Sequence, residues 1–95
     1  MKQYRHGDLL IVEVPVCPAG MPHPERILAH GEATGHAHRI DDAQLYEYDG
    51  TLYFRVARDA RLTHEEHATI TLPSGSYRVV RQREYVPSST GWVED

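Results

Sequence analysis

The sequence predicts an all-β fold, a small antiparallel barrel or sandwich of about seven or eight short strands. Three observations predict it. No stretch carries the apolar period of an amphipathic helix. Turn-forming residues recur roughly every ten positions. The runs between them are rich in β-branched and aromatic residues, which suit a pleated, half-buried surface. Closure into a barrel is expected, because a small all-β domain must manage its exposed strand edges.

Leu9–Val14 is apolar and β-branched and ends at Pro15, so it reads as a strand. Residues 15–24 hold four of the six prolines. They exclude a helix and a central strand and predict a stiff surface loop, with Met21 folding back onto the core. Residues 26–30 read as a second strand. Gly31 and Gly35 bracket a turn, in which Glu32 and Thr34 supply side-chain hydrogen bonds. Residues 36–40 form a third strand. Period two puts His36, His38 and Ile40 on one face, and Ala37 and Arg39 on the other.

Asp49-Gly50 is the clearest local signal. It supplies the two positive φ angles of a type I′ hairpin turn. That turn pairs Tyr48 with Thr51, Tyr46 with Tyr53, Leu45 with Phe54 and Ala43 with Val56. Leu45, Leu52, Phe54 and Val56 then face the core, and Tyr46, Tyr48, Tyr53 and Arg55 form an aromatic outer face. Residues 61–64 form a short strand, and Glu65-Glu66 turns the chain. In residues 68–72, Ala68, Ile70 and Leu72 alternate inward. His67 falls on the opposite parity unless a bulge re-aims it. Residues 73–76 make a second tight turn. Residues 77–85 are the longest strand, with Tyr77 and Val79 inward and Arg81, Arg83 and Tyr85 of the same parity.

These elements make one domain, residues 1–87, followed by a tail, 88–95, that carries Trp92. With 40% hydrophobic and 25% charged residues, the chain is globular rather than disordered. No apolar run approaches the roughly 18 residues of a membrane span, and no signal-peptide core follows Met1. A bacterial cytoplasmic protein without membrane contact is expected. The lone Cys17 excludes an internal disulfide and reads as a small apolar filler. Formal charge is −4 with the seven histidines neutral, and protonating all of them would reverse its sign. At neutral pH that charge disfavours nucleic acid. Nine of the ten basic residues are arginine, which suits bidentate anion binding, although a GC-rich genome gives the same bias.

Histidine placement is the least ordinary feature. His30, His36 and His38 lie within nine residues, and His64 and His67 flank Glu65-Glu66. The two segments are expected to converge. His36-x-His38 on a strand points two imidazoles the same way, about 7 Å apart at their bases. That spacing suits a divalent transition metal such as zinc, nickel or iron. His30, His64, His67, Glu32, Glu65 and Glu66 are candidates for further ligands, and the glutamates could instead fix a ring tautomer. The expected metal set is His36, His38, His64, His67 and His30.

Two other classes stay open. A metal-free, ribonuclease-like or other phosphoryl-handling enzyme would use His36, His38, His67 and Arg39 as catalytic groups, with Arg81, Arg83 or Tyr85 steadying charge. Only that reading implies nucleic acid. An interaction module would present Tyr46, Tyr48, Tyr53 and Trp92 to a protein partner or a second copy. Gly31 to Gly35 is no phosphate loop, since it lacks the lysine and the following helix.

The segments Gly31-Glu32-x-Thr34-Gly35-His36-x-His38-Arg39, Leu62-Thr63-His64-Glu65-Glu66-His67, Leu72-Pro73-x-Gly75-x-Tyr77 and Gln82-Arg83-Glu84-Tyr85 together resemble a group of short, uncharacterised bacterial proteins. The likeness covers nearly the whole chain and implies no activity. A fainter resemblance, to cupins, rests on His36-x-His38 and the later Pro73-x-Gly75 turn. The chain departs from that pattern. No glutamate follows His38 at the cupin interval, and Tyr77 and Arg78 stand where a later histidine belongs. The cupin ligand set is therefore not carried over, and only a metal within a small β fold is implied.

Overall fold

The computed structural model describes residues 2–30 and 35–81. Glu32 and Thr34 of the first turn, the 82–85 segment with Arg83 and Tyr85, the domain end at 87 and the tail with Trp92 lie outside the described residues. The described chain is all β. Its strands are β1 (Gln3–His6), β2 (Leu9–Val14), β3 (Met21–His23), β4 (Ile27–His30), β5 (Ala37–Ile40), β6 (Gln44–Tyr48), β7 (Thr51–Val56), β8 (Ala60–His64), β9 (His67–Leu72) and β10 (Gly75–Arg81). Among the described residues no helix is long and apolar enough to cross a membrane.

The strands form two antiparallel sheets, one ordered β1-β2-β10-β7-β6-β3 and the other β4-β5-β8-β9. The fold is thus a sandwich, one of the two architectures expected; the closure into a barrel does not occur, and the described residues form ten strands rather than seven or eight. Both unforeseen strands are sheet edges. β1 shows no clean apolar alternation, because only its last residue, His6, is buried. β3 lies inside the proline-rich stretch and pairs only with β6. An edge strand tolerates Pro22 because the missing N–H costs no ladder bond on the open side. Met21 does not fold onto the core. It lies opposite Glu47, near the hairpin tip, and is 72% exposed.

The hairpin follows the sequence closely. Asp49 and Gly50 have φ of 52° and 78°, and Tyr48 pairs with Thr51, Tyr46 with Tyr53 and Leu45 with Phe54. Its inner face joins one core with both sheets: Leu9, Ile11, Leu45, Phe54, Val56 and Tyr77 from the larger, and Leu28, Ile40, Ala60, Leu62 and Leu72 from the smaller. Tyr77 stacks on Phe54 at 5.1 Å, and its hydroxyl donates to the Pro73 carbonyl at 2.6 Å. Burial pushes that hydroxyl up to about 12. Cys17 is half-buried, and its thiol donates to the Phe54 carbonyl.

Two features of the backbone build the site. On β8–β9, Leu62 pairs with Ile70 but His64 pairs with His67, so β9 carries one extra residue. This bulge reverses the parity of His67 and brings it to the face of Leu62 and Ile70. It also turns Ala68 outward, against the simple alternation, and Ala68 is exposed. The edges of the two sheets then meet where the His6 Nε2–H donates to the Ala68 carbonyl at 3.0 Å.

Candidate functional site

Gly7 and Asp8 form the turn between β1 and β2, with His6 opposite Leu9. Gly7 has φ of 64°, and a Cβ there would stand 2.5 Å from His67 Nε2. Glycine suits the positive φ, and any side chain there would have to displace the His67 ring packed against it. The turn sets His6 and Asp8 on either side of His38. His6 Nδ1 faces His38 Nδ1 at 2.9 Å, and the His38 Nε2–H donates to Asp8 Oδ1 at 3.2 Å. His6 and His38 are both 2% exposed. Arg81 Nε donates to Asp8 Oδ2 at 3.3 Å, and its Nη2 donates to the His30 carbonyl at 2.8 Å.

His64 and His67 flank the Glu65-Glu66 turn and complete the cluster. Every pair among His6, His38, His64 and His67 has ring centroids between 4.4 and 6.4 Å apart. His36 joins at 5.7 Å from His64. One donor atom each from His36, His64 and Glu65 lie within 4.8 Å of one another. The turn itself is pinned. Glu65 Oε1 accepts the Ala37 amide at 2.9 Å and Oε2 accepts from Arg39 at 2.7 Å. These two bonds hold the Glu65 carboxyl down at about 2.

Hydrogen-bond partners assign the ring protons. The Ala68 carbonyl only accepts, so His6 carries its proton on Nε2 and a lone pair on Nδ1. The Asp8 carboxylate likewise fixes the His38 proton on Nε2. Two neutral rings then oppose lone pairs at 2.9 Å, a contact that needs a cation, H⁺ or metal, between them. A proton is disfavoured there. Burial, with the neighbouring His64 and His6, lowers His38 to about 4 against the pull of Asp8. Burial also lowers His6, outweighing the Ala68 hydrogen bond. For Asp8, burial works upward, but Arg81 brings the carboxyl below its usual value. On the rim, His36 Nδ1 contacts Glu66 Oε2 at 3.2 Å, leaving its lone pair on Nε2. His64 is the converse: its Nδ1 accepts the Glu66 amide at 2.9 Å, so its proton sits on Nε2.

The two histidine segments therefore converge, and His36, His38, His64 and His67 come together. His30 is exposed at the end of β4, and among the described contacts it offers its carbonyl, not its ring. Arg39 lies on the outer side and positions Glu65. Glu66 makes the direct ring contact, with His36, while a Glu65 oxygen lies within 4.8 Å of donor atoms of His36 and His64. Sequence reasoning missed His6, Gly7 and Asp8. The available signal was a histidine followed by Gly-Asp, a turn pair, just before the Leu9 run.

Residues 5–82 match the model of a family described as a domain of unknown function, DUF8820. The chain belongs to this family. The DUF8820 match begins just before His6 and ends just after Arg81, so it spans every side chain of the site. It agrees with the resemblance to a group of short uncharacterised proteins. No curated protein and no solved structure matches the chain.

Proposed function

We propose that the cluster binds a divalent transition metal, held by the facing His6 Nδ1 and His38 Nδ1 and completed by a neighbouring histidine of the cluster. The facing Nδ1 atoms at 2.9 Å, with both Nε2–H groups committed to oxygen acceptors, carry this reading. Metal-binding histidines commonly donate their other N–H to a carbonyl or carboxylate in this way. Two metal–nitrogen bonds of about 2.1 Å span about 3.0 Å at a right angle and about 3.4 Å at the tetrahedral angle, so the 2.9 Å pair opens slightly to take a tetrahedral ion. The rings that can complete the set surround this pair: His64 lies 4.4 Å from His38, and His67 lies 5.7 Å from His6 and 5.9 Å from His38. Three imidazoles suit zinc, nickel or iron. His36 and His64 line the rim.

The phosphoryl-handling alternative is less well supported. Among the described residues, Arg39 and Arg81 lie beside the cluster, and each is engaged by a carboxylate. We also place the protein in a reducing bacterial cytoplasm, where the thiol of Cys17 persists. The metal reading is tested by thermal unfolding. Zinc should raise the Tm of chelator-treated protein, and chelator should reverse the gain, since an ion bound only by the folded state stabilises it by mass action. A Tm indifferent to zinc, nickel and iron would overturn it.

A further inference from the structure

The rim of the cluster carries a second group of donors, which the His6–His38 pair does not use. One ligand atom each from His36, His64 and Glu65 lie within 4.8 Å of one another. Donors around a tetrahedral ion stand about 3.4 Å apart, so this group must contract by up to about 1.4 Å. Its side chains are half-buried or exposed, and their rotations supply that movement.

Two of the three donors are already prepared. His36 Nδ1 is 3.2 Å from Glu66 Oε2, and the proton shared there leaves a lone pair on Nε2. A carboxylate behind the ring is the usual support of a ligating histidine. The Glu65 carboxylate is held by the Ala37 amide at 2.9 Å and by Arg39 at 2.7 Å. These bonds fall on different oxygens, so each oxygen keeps a lone pair for a cation.

His64 is the exception. Its Nδ1 accepts the Glu66 amide at 2.9 Å, so neither ring nitrogen is free. Coordination through Nδ1 takes the lone pair that the amide uses. Coordination through Nε2 moves the ring proton to Nδ1, which then no longer accepts. By either route the ion breaks this bond, and the Glu66 amide, on an exposed turn, bonds to water instead. The rim is therefore a weaker site than the buried, preformed pair. An ion there exchanges readily, and purified protein keeps only the inner one.

We propose that His36, His64 and Glu65 form a second metal site, for an exchangeable divalent transition ion, and that its occupation releases the Glu66 amide from His64. Two imidazoles and a carboxylate suit zinc or nickel. With His64 in this set, His67 is the ring left to complete the inner site. The rim set shares no donor with the His6–His38 pair, so each site is tested separately.

The test is a zinc titration of chelator-treated, isotope-labelled protein at neutral pH. Calorimetry counts the ions, and the Glu66 amide resonance reports the bond to His64. The wild type should take two ions per chain in two steps, the weaker step moving the Glu66 resonance. His36→Ala should keep the tighter step and lose the weaker one. One ion in both proteins would overturn the rim site and leave the inner reading standing. One ion in the wild type and none in His36→Ala would support the rim site and overturn the inner reading. Two ions with a stationary Glu66 resonance would overturn the role of His64. No zinc uptake would overturn both sites.

Discussion

The Nδ1 atoms of His6 and His38 face each other at 2.9 Å across 32 positions of sequence, each ring tethered at its far nitrogen by an oxygen acceptor. Both rings are buried, and burial favours their neutral forms. The native contact therefore needs a positive charge that the protein environment does not readily let a proton supply.

Acid should destabilise the metal-free protein. His38 is lowered from 6.5 to about 4 on folding, chiefly by burial. Between those values the unfolded chain binds the extra proton and the folded chain does not, so stability falls as pH drops from about 6.5 to about 4. His6 shifts in the same direction. Urea unfolding at a series of pH values checks this. A midpoint that stays level across that window would contradict it.

Asp8→Asn removes charge with little change in shape. Asp8 fixes the His38 ring and holds Arg81. Metal affinity should fall about 10- to 100-fold, the usual effect of losing a carboxylate that orients a ligand. Competition with a coloured chelator measures it, and unchanged affinity would show that Asp8 does not support the ligand.

Gly7→Ala should damage fold and site together. The new Cβ would meet His67 Nε2 at 2.5 Å and occupy a φ of 64°. The left-handed backbone alone costs about 1–2 kcal/mol. A lower Tm with weaker metal uptake is expected. A wild-type Tm would mean that His67 moves aside freely.

Tyr77→Phe tests the core rather than the site. It deletes the hydroxyl that donates to the Pro73 carbonyl at 2.6 Å, while the stack on Phe54 remains. A loss of about 1 kcal/mol is expected by urea denaturation, with metal affinity unchanged.

The parts legible in the sequence were those written in local chemistry. Asp49-Gly50 specified turn, register and faces of β6–β7 at once, because a type I′ turn leaves one pairing. The His36-x-His38 spacing and the histidines flanking Glu65-Glu66 marked one side of the cluster. The other side depends on long-range contacts. β1 buries only His6, so no alternation announces it. The bulge at Ala68 and Thr69 that brings His67 to the face of the cluster has no glycine to mark it. The proline-rich stretch concealed β3, because an edge strand needs only half of its hydrogen bonds. Closure was inferred from the need to protect edges, but the two sheets manage that need with short edge strands, a proline and the His6–Ala68 contact.

Metal content most directly tests the central claim. Untagged protein, purified without an immobilised-metal column, would be measured by mass spectrometry beside His6→Ala/His38→Ala, each before and after incubation with zinc, nickel and iron. About one equivalent of metal in the wild type, lost in the double variant, is the predicted result. No metal in the wild type after incubation, or equal metal in both proteins, would contradict it.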